Sequence, residues 1–514
     1  MRRGTTRRVF LRVSTAGSAA LIGGAALRPL AARGEDGGLP RADLLVLNGR
    51  VWTMDPARPR AEAIAVSGGR IVAVGTDREI LRRYGPGTRE IDAAGLRVIP
   101  GLNDSHCHAV RAGRFFNLEL RWDGVRSLAR GLEMIRQHRS WTPEGQWIRV
   151  IGGWSPYQFE ERRMPTVSEL NEAGGDTPVF VLYLYSQGFL NRAGVEALGL
   201  SERSEAPKGA RYEFVDGGAV LHAEPNPMIL YSTIARLPQL DAEDQLNSSR
   251  QYYRELSRFG VTSCIDAGGG GHVFPENYGA TMELAGRDEL PVRVSFHLFP
   301  QRPGEEYGEF RTWAKRNAAG QQFAARLNGL ALEGGGEFLA WSAGDYENFM
   351  AAQPVQGEAM ERDLEEIARF LVEIRWPIRI HATYDESITR ILNVFEKIDR
   401  DTPFDGLRWA IDHAETISDA NIERVKALGG GIAVQNRMAF AGEYFLERYG
   451  AERAASAPPL RRLVESGVPL GLGTDSTRVS SYNPWLSLAW AVTGKSVGGT
   501  QLLSEENRLS REEA

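Results

Sequence analysis

The chain has 514 residues, is 42% hydrophobic and 25% charged, and carries a formal net charge of −5; that is ample to bury a core without staples. Its two cysteines exclude a disulfide framework. No basic stripe interleaved with aromatics favours nucleic acid, and no apolar run reaches the ~20 residues that an integral membrane span needs.

Taken in chain order, the first 33 residues hold seven arginines and no acid. Thr6-Arg7-Arg8-Val9-Phe10-Leu11-Arg12 is a twin-arginine phrase, followed by a weakly apolar stretch from Val13 to Leu27 and small residues at Ala31 and Ala32. Residues 1–33 therefore read as a twin-arginine export signal, with the export machinery as partner and a periplasmic or extracellular destination. Without that segment the same counting gives a net charge of about −12. Residues 41–96 alternate in short runs, such as Asp43-Leu44-Leu45-Val46-Leu47 and Arg70-Ile71-Val72-Ala73-Val74, between glycine-rich turns. They predict a small β-sandwich.

From residue 97 to 514 eight β-like runs follow, at 97–106, 260–266, 292–298, 327–333, 377–382, 407–413, 430–435 and 468–475. Alternation with helix-like stretches predicts an α/β fold, a (β/α)8 TIM-type barrel with its site at the C-terminal strand ends. The gap at 109–259 is too long for a βα loop and predicts an inserted subdomain, placed as a lid over the barrel mouth. The histidines cluster at strand ends. His106 and His108 close the first run two residues apart, so they share one face and can grip one ion. His381 closes the fifth run, His413 the sixth and Asp475 the eighth. A catalytic zinc takes three or more protein ligands and keeps a position open for water. Such an ion brings the pKa of bound water from ~15.7 toward ~7.

The segment Leu47-Asn48-Gly49-Arg50-Val51-Trp52-Thr53-Met54, the phrases PGLNDSHCH, HATYDES and IDHAETIS, and GLGTDST followed by Asn483-Pro484 together resemble the metal-dependent amidohydrolases, in particular the YtcJ-like, amidohydrolase-3 type. The resemblance runs from about residue 43 to the end. It implies a hydrolase that cleaves an amide- or ester-like bond with one or two divalent ions, zinc first. Where many relatives place a carboxylated lysine on strand four, Ala331 stands here; Glu333, two residues on, is the expected replacement ligand, with Glu337 the second choice. Ser186 stands where relatives often have a pocket histidine, and Gln435-Asn436-Arg437-Met438 replaces Gln-Pro-x-His after strand seven. The expected metal ligands are thus His106, His108, Glu333, His381, His413 and Asp475. Asp475 is expected to act as general acid–base, and His413 to ligate a second ion or donate to the developing oxyanion.

Three readings stay open: cleavage of a non-peptide carbon–nitrogen bond in a small molecule; ester hydrolysis or isomerisation or hydration on the same site; and an exported metal- or ligand-binding protein without turnover. Cys107, between two ligands, is expected to face the core. His272, in a glycine-rich loop at the end of the barrel where it could touch substrate, is expected to be a mobile loop histidine, His297, after strand three, to be structural, and Trp154, Tyr157, Tyr183 and Tyr185 to pack in the core or line a pocket. Relatives continue beyond a helix starting like Leu509-Ser510-Arg511-Glu512-Glu513-Ala514 to complete the sandwich. Either the chain is a truncated product, or its N-terminal strands finish the sandwich alone. Exposed strand edges would then favour self-association, which leaves a homo-oligomer open.

Overall fold

A computed structural model of the protein describes residues 41–84, 87–318, 327–346 and 349–514. The twin-arginine segment, 1–33, lies outside the described residues. Two units divide at Pro100.

The second unit is built on eight parallel strands in sequence order: β1 (Leu102–Cys107), β2 (Val261–Asp266), β3 (Arg293–Leu298), β4 (Leu330–Gly335), β5 (Ile378–Ala382), β6 (Trp409–His413), β7 (Gly431–Gln435) and β8 (Leu470–Gly473). β8 returns to β1, where the Asp475 N–H donates to the His106 carbonyl at 2.8 Å. This makes a nearly closed barrel. The strands read as apolar runs because both faces are covered: all five residues of β5 are buried. Outer helices follow the 3.6-residue period. Asp385–Asp401 buries Ile388, Ile391, Leu392, Phe395 and Ile398 along one stripe.

Two expected boundaries shift. The first run divides at Pro100: Arg97–Val98 pairs parallel with Arg50–Trp52 in the first unit, and β1 starts at Leu102. Proline has no N–H to carry a ladder onward. The fourth run begins and ends later than the expected 327–333, because Gly334 and Gly335 are strand and not loop.

Between β1 and β2 stands a six-stranded mixed sheet ordered Ala210–Val215, Gly218–Ala223, Gln187–Leu190, Val179–Tyr183, Ile148–Ile151 and Glu119–Leu120, with helices around it. In the first unit, Leu44–Leu47, Ala63–Ser67, Arg70–Gly75 and Arg89–Asp92 form one sheet, and Arg50–Trp52, Arg60–Ala61 and Arg97–Val98 a second. Leu45, Ala63, Ala65, Ile80 and Tyr84 are its core. At the C-terminal end a single turn stands where a helix was expected. Ser510 N–H donates to Glu513, whose own N–H returns to Ser510 Oγ, and Glu513 pairs with Arg461. No helix among the described residues is long and apolar enough to cross a membrane.

Candidate metal centre

His106, His108, His381, His413 and Asp475 converge at the C-terminal ends of β1, β5, β6 and β8, all buried. The carboxylate among them is Glu337. Its Oε2 lies 3.0 Å from His413 Nε2, 3.2 Å from His381 Nδ1 and 3.6 Å from His106 Nε2, while Oε1 lies 3.6 Å from His108 Nε2. Asp475 Oδ1 stands 3.1 Å from His108 Nε2 and 3.5 Å from His106 Nε2, and its Oδ2 3.9 Å from His413 Nδ1.

Glu333 does not join this group and is corrected as a ligand. Its carboxylate pairs with Arg408 and accepts from Ser295 Oγ. The reason lies in the glycines that follow. A side chain at Gly334 would run into the Pro377 carbonyl, so β4 approaches β5 closely enough only with glycine there. At Gly336 φ is +133° and a Cβ would meet the Arg379 carbonyl. The turn is then sewn in place: Gly336 N–H donates to Leu298 O, Glu337 N–H to Ala267 O and His381 N–H to Glu337 O. Extending the strand by this turn delivers Glu337 to the mouth, while Glu333 stays lower in the barrel wall.

An outer ring of acceptors fixes the imidazoles. His108 Nδ1 donates to Gly268 O at 2.7 Å. His106 Nδ1 stands 3.2 Å from Asp412 Oδ1, and Asp412 is held by Arg379 through two contacts, Nε at 3.1 Å. His381 Nε2 lies 3.1 Å from Asp345, whose carboxylate accepts the N–H groups of Thr383 and Tyr384. Spacing along the strands reveals none of Asp345, Asp412 and Arg379 in these roles; only the Asp412-His413 adjacency, an acid beside a ligand, was a signal.

The electrostatics are those of a cluster built for a cation. Burial opposes the charge on His106, but the Asp412 and Glu337 carboxylates overcome it and raise its pKa to about 10. Burial likewise opposes ionisation of Glu337 and Asp475, yet the surrounding imidazoles hold both well below the usual carboxylate range. Three overlapping sets, His106–His413–Asp475, His106–His108–Glu337 and Glu337–His381–His413, each bring their donor atoms within 4.8 Å of one another. His106 Nε2 is buried with no hydrogen-bond partner. Four imidazoles and two carboxylates, with an orphaned nitrogen facing them, fit a divalent metal.

The pocket over this cluster is lined by Arg111, Tyr185, Tyr231, Phe299, Phe338 and Tyr346 besides the cluster itself. Tyr185 and Tyr231 come from the segment inserted after β1. Other expectations fall out as follows. Cys107 is buried with Sγ against Ile265 O. His272 is corrected from a mobile loop histidine to a buried one, packed against Arg114 and Tyr278, and His297 is buried within β3. The Trp154 indole donates to Leu182 O and the Tyr183 hydroxyl to Phe440 O, both in the core. In the replaced Gln435–Met438 segment, Arg437 grips Glu415 and reaches within 4.0 Å of Asp475.

The chain is similar to several known proteins. The chain is 27% identical to the protein LONG AFTER FAR-RED 3 of Arabidopsis thaliana, over 88% of this chain and 78% of that protein. It is 22% identical to an N-substituted formamide deformylase of Arthrobacter pascens, over 90% and 86%. Among solved structures, an uncharacterised metal-dependent hydrolase from Pyrococcus horikoshii superposes with a TM-score of 0.61 at 22% identity, covering 91% of this chain and 90% of its own. One from Pyrococcus furiosus gives 0.62 at 22% identity, covering 91% and 92%. These two share the fold. The amidohydrolase family model matches residues 89–514, and the chain belongs to that family, the hydrolases of carbon–nitrogen bonds other than peptide bonds.

Proposed function

We propose that the protein hydrolyses an amide-like carbon–nitrogen bond of a small molecule at a centre where Glu337, with the four histidines and Asp475, would hold two divalent ions. The single observation that carries this reading is the position of the Glu337 carboxylate, one oxygen toward His108 and the other shared by His106, His381 and His413. His106, His108 and Asp475 would hold one ion and His381 and His413 the other. Zinc suits this donor set. Bound there, the ions would polarise the scissile carbonyl and acidify an attacking water. The Asp475 carboxylate, through Oδ2, accepts the proton of that water as the carbon–oxygen bond forms, and passes it to the leaving nitrogen as the carbon–nitrogen bond breaks. Asp412 keeps His106 aimed, Asp345 His381 and the Gly268 carbonyl His108, and the inserted segment with Tyr185 and Tyr231 forms a lid that sheds bulk water. Similarity to a formamide deformylase supports carbon–nitrogen over ester chemistry.

The test is elemental analysis joined to a panel of N-acyl, formamide and ester substrates. About two ions per chain are expected, falling in Glu337→Ala and unchanged in Glu333→Ala. Asp475→Ala should abolish turnover of the N-acyl and formamide members. Turnover that survives that substitution, or an ion content indifferent to Glu337, would refute the scheme.

The protein is further proposed to leave the cytoplasm through the twin-arginine route. Replacing Arg7 and Arg8 together by lysine should retain it inside fractionated cells; unchanged export would dismiss the signal.

A further inference from the structure

Two guanidinium groups are buried beside the pocket, neither of them in an ion pair among the described residues; burial opposes the Arg111 charge, and neighbours that include Asp475 and Asp266 offset it only from beyond contact distance. Arg111, in the helix Ala109–Phe115 that leaves the His-x-His strand, lines the pocket and is 4% exposed. Among the described residues it makes no ion pair and no hydrogen bond. It stands next to the metal centre. A Cβ on Gly269 would lie 2.8 Å from Arg111 Nη1 and 3.6 Å from His108 Nδ1, so both flank that glycine.

Arg478, shortly after Asp475, is 7% exposed, and its Nη1 is buried with no partner. Its guanidinium lies 5.8 Å over the Tyr231 ring, and Tyr231 packs 4.9 Å from Tyr185, both on the pocket wall. Burial and the neighbouring Arg111 both press its pKa downward. The nearest carboxylates are already engaged. Asp266 accepts the N–H groups of Val110 and Gly268, and Asp475 faces the imidazoles. Two like charges taken out of water together are costly to fold unless an anion completes them. A planar guanidinium is the donor best matched to a carboxylate.

Resting on the hydrolase reading above, we infer that Arg111, backed by Arg478, is the subsite for a carboxylate carried by the substrate, so that the substrate class is acidic N-acylated compounds such as N-acyl amino acids. Tyr185 and Tyr231 form the wall against which that carboxylate end is placed. Arg111 offsets the repulsion that a second anion would meet from Asp475 and Glu337.

Calorimetric titration of benzoate and benzamide into the protein, metal-loaded and metal-stripped, reads the subsite without turnover. Benzoate should bind about tenfold or more tighter than benzamide and persist after stripping. It should weaken by a similar factor in Arg111→Met and recover partly in Arg111→Lys. Arg478→Met, with circular dichroism as a check on folding, serves if Arg111→Met does not fold. Benzoate binding that disappears with the metal and ignores both arginines would overturn the inference, because the ions alone would then hold the anion. The second arm compares an N-acyl amino acid with its carboxamide. Preference for the free acid in kcat/KM, lost in Arg111→Met, supports the assignment, and equal turnover of the pair overturns it while leaving the hydrolase reading intact. Arginine-dependent benzoate binding with no turnover of any amide would do the reverse.

Discussion

At the scale of single residues, the most exposed dependency is His106 on Asp412. His106 reaches both carboxylates of the centre with Nε2, and the acid behind Nδ1 sets how that ring is turned. Asp412→Asn keeps the shape and removes the charge. Metal affinity is expected to fall about 10- to 100-fold, the usual cost of losing a partner behind a ligand; competition with a chelator of known affinity measures it, and an unchanged affinity would remove Asp412 from the centre. The histidine ligands and Asp475 were legible because they close apolar runs at alternate strand ends. Glu337 was legible only as second choice. Counting faces by twos assumes the strand stops at Glu333, whereas three glycines carry it onward and turn it. A stretch of glycine looks like loop in sequence and serves here as strand and corner.

At the scale of elements, that corner rests on three backbone hydrogen bonds and one permitted residue type. Gly336→Ala should cost about 1–3 kcal/mol from the φ alone, and more where its Cβ meets the Arg379 carbonyl. Because Glu337 rides on this turn, the variant should also lose bound metal while Gly271→Ala, at a loop position with φ +74° and nothing within 4 Å, should lose stability alone. Thermal unfolding and metal content together make the comparison; equal metal loss in both would dissociate the turn from the site. The barrel strands themselves were readable from periodicity and length. The division of the first run was written in Pro100, and its consequence, a strand given to the other unit, depended on a pairing with Arg50–Trp52 that no local pattern specifies.

At the scale of the whole molecule, acid resistance depends in part on a buried histidine outside the metal cluster. Burial, reinforced by Arg379, holds His297 down to about 3 against an ordinary value of 6.5. Between those two values the unfolded chain binds a proton that the folded chain refuses. Stability contributed by this group is therefore complete above pH 6.5 and declines as pH falls toward 3, by up to about 1.4 kcal/mol per pH unit. Denaturant unfolding across that range should show a shallower fall for His297→Gln than for the parent chain; parallel slopes would assign the acid lability elsewhere. The family and the barrel could be anticipated from sequence phrases in order. The charge left unpaired around Arg111 could not, since it is a property of what surrounds the side chain.

His108 and Asp475 meet across 367 residues of chain, at the place where the last strand returns to the first. An ion held there would act as a clasp on the seam of the barrel. Neither end could then fray outward without surrendering a ligand, so metal release and loosening of that seam are expected to be coupled, and stripping the ion to lower the stability of the barrel.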